Sequence, residues 1–305
     1  MTDALALLAD DLKAYSGKLS VFPDEPMSRH TSFRIGGPAG LYLVPGDREA
    51  LIRTLTAARE RGVRTYILGN GSNVLFDDAG FDGAVVSVSG LNRVSVEPDG
   101  FVTAQAGASL SGVCKAARDA SLSGLEFAYG IPGSVGGAVV MNAGAYGGEI
   151  RDVLSESEYL DPKDMQVRSI PLSDHMYGYR NSIYRGTDWI VLSASFRLKP
   201  GRQEDIAAAM SDFASRRVAK QPLEFPSAGS VFKRPEGHFV GQMVEESGLK
   251  GFRIGGAEVS EKHAGFIVNR GGATSRDVLA LVEHIRGTVR HNYGVELECE
   301  IIHVT

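Results

Sequence analysis

The segment Leu68–Asn73 has the composition of an anion-binding loop. Positions 69–73 hold two glycines, a serine and two asparagines directly after a strand-like run. Glycine and asparagine tolerate positive φ, so successive backbone N–H groups can converge on one phosphate oxygen, and the polar side chains add donors without adding charge. An ordinary turn at the end of a strand has the same composition. This segment alone therefore leaves both interpretations open.

A second, longer segment of the same kind runs from Gly130 to Gly148 and reads GIPGSVGG (130–137) and MNAGAYGG (141–148). Two such segments could hold the two charged groups of a pyrophosphate, and so a dinucleotide cofactor, without a cluster of lysines and arginines. Neither matches the phosphate loop that ends in Gly-Lys-Ser/Thr or the Rossmann pattern Gly-x-Gly-x-x-Gly, which weighs against a nucleoside triphosphatase or a simple NAD-binding domain. The alternative interpretation is a purely structural segment, in which the glycines let two stretches of backbone cross closely.

Three further positions could carry chemistry. Arg180 lies among tyrosines, where a guanidinium can stack and still present its fork to a carboxylate. Ser230 follows a glycine, outside any Gly-x-Ser-x-Gly pattern, and could donate a proton to a carbanion. Glu296, Glu298 and Glu300 alternate with apolar residues, and one of them could act as an acid if a cleft raised its pKa. A surface arginine, a turn serine and a solvated acidic face are the structural alternatives, and the pattern does not choose among the three glutamates.

The charge and cysteine content limit the partners and the compartment. A net charge of −5 gives no overall attraction to nucleic-acid phosphates or anionic membranes, so we predict neither partner. The longest uncharged run, Phe127–Gly148, contains seven glycines and a proline, so we do not expect it to span a membrane. The first residues lack the basic region of an export signal, and Cys114 and Cys299 are far apart in sequence. We therefore expect a cytoplasmic protein with no disulfide framework and no metal site.

Hydrophobic periodicity predicts the elements that must position these residues. Apolar residues at helical spacing predict helices on Leu5, Leu8, Leu12 and Tyr15 and over 48–61, 110–120, 206–218 and 275–290. Apolar runs predict strands over 63–68, 84–88, 101–105, 189–198 and 295–304. The turn-like stretch 199–202 marks a predicted domain boundary, and 305 residues fit about two domains. The sequence therefore predicts an α+β protein with a larger N-terminal part and a smaller C-terminal part.

The assembled segments resemble one family, the UDP-N-acetylenolpyruvoylglucosamine reductases, also called MurB enzymes. The resemblance covers almost the whole chain. The motifs that carry it are HTSF (30–33), LGNGSN (68–73), GLEFAYGIPGSVGGAVVMNAGAYGGE (124–149), YRNSIY (179–184), PSAGSVFKRPEGHFVGQMVE (226–245), FRIGGAEVSEKHAGFIVN (252–269) and ELECEI (296–301). Their spacing, without a tyrosine-bearing insertion after the arginine motif, resembles the shorter type II branch.

The resemblance implies a fold, a reaction and a partner. The fold is a two-lobed FAD-binding domain of the vanillyl-alcohol-oxidase (PCMH) type at 1–199, with lobes at 1–88 and 89–199, followed by an α/β substrate-binding domain at 200–305. The implied reaction uses NADPH and non-covalently bound FAD to reduce the enolpyruvyl ether of UDP-N-acetylglucosamine to UDP-N-acetylmuramate, a peptidoglycan precursor. The partner is thus a UDP-sugar, and we expect a monomer or a weak homo-oligomer.

The resemblance also assigns the site residues by motif. Ser230 would protonate the α-carbon of the substrate, while Arg180 and Glu300 would polarise its carboxylate and stabilise an enolate-like intermediate. Glu300 needs a raised pKa for this role, which burial beside the flavin would supply. The implied FAD contacts are Asn70, Gly71, Ser72, Asn73, Gly133, Ser134, Gly136 and Gly137, and the expected UDP-sugar contacts are Lys220, Arg234, His263 and Asn269.

Two other functions remain open from the sequence. One is an oxidase of the same flavin domain family with a different alcohol substrate. Many such oxidases attach FAD through a histidine in the glycine-rich stretch, and neither LGNGSN nor GIPGSVGG contains one. The other is a nucleotide-sugar sensor without activity, which we expect to have lost Ser230, Arg180 or Glu300. All three are present here, and the reductase is therefore the preferred prediction.

Overall fold

The computed structural model describes residues 3–13 and 17–305, so Tyr15 of the predicted first helix lies outside the described residues. The chain divides into two units that are each discontinuous in sequence. Unit 1 comprises Met1–Pro23, Leu41–Asn70 and Gly83–Arg217, and unit 2 comprises Asp24–Gly40, Gly71–Asp82 and Val218–Thr305. The last transition from unit 1 to unit 2 along the chain falls after Arg217. The predicted domain boundary falls after Lys199. The predicted domain limits stay a prediction.

The helices of unit 1 have buried apolar residues, and three of them begin at a polar side chain that caps the helix. They are α1 (Asp3–Lys13), α2 (Arg48–Glu60), α3 (Leu110–Asp119), α4 (Val135–Met141) and α5 (Gln203–Lys220), the last of which belongs to unit 1 as far as Arg217. The Asp47 side chain caps α2 by accepting a hydrogen bond from Ala50 N at 2.8 Å. Leu51 and Leu55 of this helix are buried, as its predicted periodicity requires. The predicted helices over 48–61 and 110–120 are confirmed.

Most strands of unit 1 belong to two sheets. The larger sheet is antiparallel and has the order β12-β11-β13-β7-β6, with β6 at Val94–Val96, β7 at Phe101–Gln105, β11 at Leu154–Asp161, β12 at Gln166–Pro171 and β13 at Ile190–Arg197. The other sheet has the order β1-β2-β5-β3, with β1 at Leu19–Pro26, β2 at Pro38–Pro45, β3 at Thr65–Leu68 and β5 at Phe81–Ser87. Two short pairs complete the unit, β8 (Leu122–Ser123) with β14 (Lys199–Pro200) and β9 (Gly144–Ala145) with β10 (Gly148–Glu149).

Unit 1 contains two hydrophobic cores. One joins the larger sheet to α3 and α4, through residues such as Phe196, Val113 and Val139. The other lies under α1 and α2, where Leu8 and Leu51 are fully buried. The predicted strands at 63–68 and 84–88 correspond to β3 and β5, which pair in parallel with Leu68 opposite Ser87. The end of β3 is therefore held by the sheet, and the first glycine-rich segment begins there.

Unit 2 is built around one long helix and short strands. Its helices are α6 (Val240–Glu246) and α7 (Ser275–Tyr293), and its strands are β4 (Val74–Phe76), β15 (Arg253–Ile254), β16 (Ala257–Val259), β17 (Ile267–Asn269) and β18 (Ile302–Val304). The strands form a β15-β16-β17 sheet and a parallel β18-β4 pair. Thr274 and Asp277 form a capping box at the start of α7, whose buried face contains Val278 and Ile285. This helix agrees with the one predicted over 275–290.

Two elements differ from the sequence-based predictions. The predicted closing strand 295–304 is wrong over most of its length, because only Ile302–Val304 forms a ladder and Cys299 makes an isolated bridge to Phe232. The helix α4 forms inside the segment that was predicted as a continuous loop. Its low helix propensity, from Gly136 and Gly137, is overcome by tertiary contacts. Among residues 3–13 and 17–305, the helices are too short or too polar to cross a membrane.

Candidate active site

The two glycine-rich segments meet in unit 1. Gly69 follows β3 at the start of the first segment, and a Cβ atom built at this position would overlap the Oγ of Ser134 in the second segment. Leu110 at the start of α3 donates its backbone N–H to Gly133 O at 3.0 Å, which fixes the second segment against the helix. The structure thus places the first segment against Ser134, as a binding site built from both segments requires.

The second segment uses many of its backbone donors internally. Ser134 caps α4 by accepting from Gly137 N at 3.3 Å. Val135 and Gly136 donate their N–H groups to carbonyl oxygens of the segment 106–108, at 2.9 and 2.8 Å. A Cβ at Gly136 would also lie 3.0 Å from the Cβ of Ala106, closer than ordinary packing allows. This geometry gives Gly136 a structural reason to be glycine, whereas a Cβ at Gly137 would meet only the Oγ of Ser134, at 3.4 Å. The contact of both residues with FAD stays a prediction.

The first segment passes from unit 1 to unit 2 between Asn70 and Gly71. Gly71 has φ of 61°, and a Cβ there would overlap the carbonyl oxygen of His30. The Gly71 carbonyl accepts from the backbone N–H of Ser32 at 3.0 Å. The Ser32 hydroxyl in turn donates to Ser227 O at 2.7 Å, in the motif that precedes Ser230. Ser32 therefore links the first glycine-rich segment to the serine motif, a role that the sequence analysis did not assign to it.

Asn73 ties the same segment to the end of the chain. Its side-chain amide donates to Glu300 O at 3.2 Å, and its own carbonyl accepts from Ile302 N at 3.0 Å. None of the bonds described for Gly71 and Asn73 uses a backbone N–H of the segment 71–73. A glycine is required at residue 71 both by its positive φ and by the close approach of His30.

Ser230 and Glu300 lie on neighbouring extended segments of unit 2. Glu300 N donates to Val231 O at 2.8 Å, and Val231 N donates to Gly265 O at 3.0 Å. Ser230 itself forms an antiparallel bridge with Phe266. Both Ser230 and Glu300 are half-buried. The serine and the glutamate predicted to be catalytic therefore lie on adjacent segments held by backbone hydrogen bonds, and the glutamate is the residue to which Asn73 is bonded.

The structure distinguishes the three alternating glutamates by their exposure. The Glu298 side chain is 71% exposed and forms an ion pair with Lys233. The Glu296 side chain is 63% exposed and lies 2.9 Å from Arg290 Nε. Glu300 is half-buried and is bonded through its carbonyl oxygen to Asn73 of the first glycine-rich segment. This environment favours Glu300 as the functional acid of the three.

Arg180 lies in unit 1 on a tight turn. Gly178 and Asn181 close the turn through two mutual backbone hydrogen bonds of 3.1 and 3.3 Å, and Arg180 has φ of 51°. A positive φ is uncommon for a residue other than glycine and is often associated with a functional constraint. Its guanidinium donates to Gly144 O at 3.1 Å and lies 5.1 Å from the ring centre of Tyr179.

Asn142 holds this turn, and the sequence analysis did not single it out. It ends α4 in the left-handed conformation, with φ of 43°, and is fully buried. Its side-chain amide donates to Gly178 O at 3.1 Å and to Glu149 Oε2 at 2.8 Å, while its Oδ1 accepts from Arg151 N at 3.0 Å. Asparagine is a frequent left-handed helix end, but this signal needs α4 to be recognised first.

The predicted UDP-sugar contacts all lie in unit 2 and differ in environment. Lys220 is exposed at the end of α5. Arg234 is exposed as well, and its guanidinium lies 3.9 Å from the ring centre of Phe239. His263 accepts a hydrogen bond from Gly265 N on its Nδ1 at 3.1 Å. Burial lowers the pKa of His263, and the nearby positive charges of Lys250 and Lys220 lower it further.

Asn269 is the exception among these four residues. It is buried, its amide donates to Phe33 O at 3.1 Å, and its Oδ1 accepts from Gly271 N and Ala273 N at 2.9 and 3.2 Å. Both ends of the side chain are thus engaged within unit 2. The geometry favours a structural role for Asn269, and its contact with a UDP-sugar stays a prediction.

The predicted site residues are divided between the units. Unit 1 holds Arg180, Asn70, Gly133, Ser134, Gly136 and Gly137. Unit 2 holds Gly71, Ser72, Asn73, Ser230, Glu300, Lys220, Arg234, His263 and Asn269.

Comparisons with known proteins identify the family of this chain. A family model described as the UDP-N-acetylenolpyruvoylglucosamine reductase C-terminal domain matches residues 221–304, and an FAD binding domain model matches residues 39–169. A UDP-N-acetylenolpyruvoylglucosamine reductase from Caldanaerobacter subterraneus is 47% identical over 295 residues, which cover 97% of each chain. The chain belongs to this reductase family. Reductases from Clostridium perfringens and Syntrophomonas wolfei are 48% and 50% identical over 91% of the chain.

A solved structure extends the agreement to the fold of this reductase family. The UDP-N-acetylenolpyruvylglucosamine reductase (MurB) of Thermus caldophilus matches with a TM-score of 0.79 and 33% identity, over 94% of this chain and 99% of that chain. The predicted α+β fold, with an FAD-binding domain followed by a C-terminal domain of the reductase family, is therefore confirmed.

Proposed function

We propose that this chain is an FAD-dependent reductase that uses NADPH to convert the enolpyruvyl ether of UDP-N-acetylglucosamine into UDP-N-acetylmuramate, a precursor of peptidoglycan. Identity of 47% to a UDP-N-acetylenolpyruvoylglucosamine reductase over 97% of the chain carries this assignment. The structural observation that supports it is the hydrogen bond from Asn73, in the first glycine-rich segment, to the backbone of Glu300.

The first glycine-rich segment fits the FAD that the family uses. A side chain at residue 71 would collide with His30, so a glycine is required there, and the bonds of Gly71 and Asn73 within unit 2 fix the backbone of the segment. We propose that Asn70, Gly71, Ser72 and Asn73 hold the pyrophosphate and that Gly133, Ser134, Gly136 and Gly137 add contacts from the second segment. FAD held there would supply the hydride chemistry of the reaction, with NADPH as the donor and the β-carbon of the ether as the acceptor.

The chain's own residues then handle charge and protons. Arg180 binds the carboxylate of the substrate, where negative charge grows as the hydride adds. Glu300 donates a hydrogen bond to the same carboxylate and therefore must hold a proton. Ser230 delivers a proton to the α-carbon, so that the product is the saturated ether. These groups lower the barrier because they interact more strongly with the developing enolate than with the neutral double bond.

The first experiment records flavin absorbance without oxygen. NADPH should bleach the flavin band, and addition of the enolpyruvyl ether should restore it. A band that returns with oxygen but not with the ether would favour the oxidase, and failure to bind FAD at all would contradict the assignment.

The acid and the proton donor can be tested separately. Ser230→Ala should leave reduction by NADPH nearly intact and abolish reoxidation by the ether, whereas equal losses in both half-reactions would contradict its role. Glu300→Gln should lower turnover by about 100-fold or more with FAD still bound, because a neutral amide is a weaker hydrogen-bond donor to the developing enolate than a carboxylic acid. Glu298→Gln, two residues away on an exposed side chain, is the matched control and should keep full activity. A protein that loses FAD on the Glu300 change would make this residue structural.

The remaining assignments concern the UDP-sugar contacts, the cellular compartment, the oligomeric state and the partners. We propose that Lys220, Arg234 and His263 contact the UDP-sugar, with Asn269 as the weakest of the four for the structural reason given above. We further propose a cytoplasmic enzyme that acts as a monomer or a weak homo-oligomer and has no nucleic-acid or membrane partner. The net charge of −5 supports the last two points.

A further inference from the structure

The segment that carries Arg180 is anchored at both ends to one buried serine. His175 precedes the Arg180 turn and Tyr184 follows it. The Ser157 hydroxyl on β11 lies 2.7 Å from His175 Nε2 and 2.6 Å from the Tyr184 hydroxyl. The remaining ring nitrogen of the histidine, Nδ1, lies 2.9 Å from Pro171 O. A single polar chain of four residues therefore connects the strand to both flanks of the turn.

The direction of every hydrogen bond in this chain is fixed by chemistry. A carbonyl oxygen only accepts, so the neutral imidazole carries its proton on Nδ1 and donates to Pro171. Nε2 must then accept, and the Ser157 hydroxyl donates to it. Because that hydroxyl has a single hydrogen, Tyr184 must donate to Ser157. The chain thus fixes the histidine in its Nδ1–H tautomer.

Water cannot easily replace these bonds. His175 is fully buried, and Ser157 and Tyr184 are 1% and 4% exposed. The ring of Tyr177 stacks on His175 with centroids 5.0 Å apart. Burial lowers the pKa of His175 and raises the pKa of Tyr184 to about 12, so both side chains stay neutral at neutral pH. A member left without its partner would therefore pay the full cost of an unsatisfied buried group.

We infer that the Ser157–His175–Tyr184 chain positions Arg180, so that these three are positioning residues for the reduction. The inference rests on the proposed function, in which Arg180 binds the substrate carboxylate. The opposite side of the turn is held independently, by Asn142 and by the Ser182 hydroxyl, which donates to Val140 O at 2.7 Å. Loss of the serine chain should therefore loosen the turn without unfolding it.

The kinetic test compares two serine-to-alanine changes in the same sheet. Ser157→Ala removes the shared partner of His175 and Tyr184. Ser193→Ala is the matched control, because Ser193 is also buried, lies on the neighbouring strand β13 and donates to Glu158 Oε2 at 2.7 Å without touching the Arg180 segment. Ser157→Ala should slow flavin reoxidation by the ether about tenfold or more, with FAD content and reduction by NADPH unchanged. Ser193→Ala should leave both half-reactions at the wild-type rate.

Two further measurements do not depend on turnover. Nitrogen NMR of the wild-type histidines should show one side chain with a protonated Nδ1 and a bare Nε2, and this signal should disappear in His175→Gln. Amide exchange at Gly178 and Asn181, which close the turn, should accelerate in Ser157→Ala but not in Ser193→Ala. Tyr184→Phe keeps the bond from Ser157 to His175, so it should keep the tautomer and lose less activity than Ser157→Ala.

The outcomes separate this inference from the proposed function. If wild-type protein does not turn over the ether, the proposed function fails. The histidine tautomer and the amide exchange rates still test the hydrogen bonds among Ser157, His175 and Tyr184. If wild-type protein is active but Ser157→Ala and Ser193→Ala reoxidise equally fast, the positioning role is overturned. A His175 protonated on Nε2 would overturn it as well.

Discussion

Gly71 offers a sharp test of the first glycine-rich segment, because Gly62 has the same backbone conformation but has space for a Cβ atom. Gly71 has φ of 61° and Gly62, just after α2, has φ of 63°. A Cβ at residue 62 would meet nothing within 4 Å, whereas a Cβ at residue 71 would overlap His30 O and lie 2.9 Å from Thr31 Cα. Substitution by alanine at the two sites therefore differs only in the close backbone approach.

The difference can be given a magnitude. The left-handed conformation costs an alanine about 1–2 kcal/mol at either position. Forcing an extra methyl group into packed backbone costs about 1–3 kcal/mol more, and only Gly71→Ala incurs this cost. If the free protein relieves the collision by moving the segment, FAD must restore it on binding. An extra cost of about 1–3 kcal/mol corresponds to an affinity about 5- to 150-fold weaker.

The assay follows FAD release by its fluorescence, alongside unfolding in denaturant for both variants. Gly62→Ala should lose some stability and keep wild-type FAD affinity. Gly71→Ala should lose more stability and purify with little FAD. If the two variants bind FAD equally well, the segment at residue 71 does not hold the cofactor. Equal losses of stability would instead contradict the close approach between residue 71 and His30.

Two further predictions concern stability. Burial lowers the pKa of His175 below the ordinary value for histidine, so the unfolded chain binds more protons as pH falls below about 6.5. The contribution of His175 to the free energy of unfolding should therefore be fully present above that pH and fall on acidification by at most about 1.4 kcal/mol per pH unit. Denaturant unfolding between about pH 8 and pH 5 should show that the free energy of unfolding depends less steeply on pH for His175→Gln than for wild type. Thr274→Ala should cost about 1 kcal/mol, because the Thr274 hydroxyl caps α7 by accepting from Asp277 N at 3.1 Å, and it should lower the thermal midpoint without changing FAD affinity.

Local signals made several elements predictable. The helices α2 and α7 have apolar stripes of helical period, side-chain caps at Asp47 and Thr274, and glycines at positive φ where they end. These signals lie within a few residues of one another, so the sequence alone contains them. The closing strand was overestimated for the opposite reason. Its alternation of apolar and acidic residues is present, but a strand also needs a partner, and only Ile302–Val304 has a continuous one in β4.

The site was predictable in its residue types and not in its geometry. Three alternating glutamates have equivalent sequence patterns, and only the folded chain exposes Glu296 and Glu298 while half-burying Glu300. The glycines were also ambiguous. Gly71 is needed for a close approach to the backbone of His30, whereas Gly136 is needed for contact with Ala106, and nothing in the local sequence distinguishes these two roles.

The residues that hold Arg180 carry the least sequence signal of all. Ser157 and His175 lie outside every motif of the resemblance, Tyr184 is only the last residue of YRNSIY, and the three act together because β11 places Ser157 beside both flanks of the turn. Asn142 is another such residue, since its role depends on the unexpected helix α4. A cation that acts on a substrate needs its position fixed by groups that do not compete for its charge, and neutral hydrogen-bonding residues meet that requirement. Because neutral residues form no charge pattern, the most visible motifs identify what binds, while the precision of the site comes from residues that only the fold brings together.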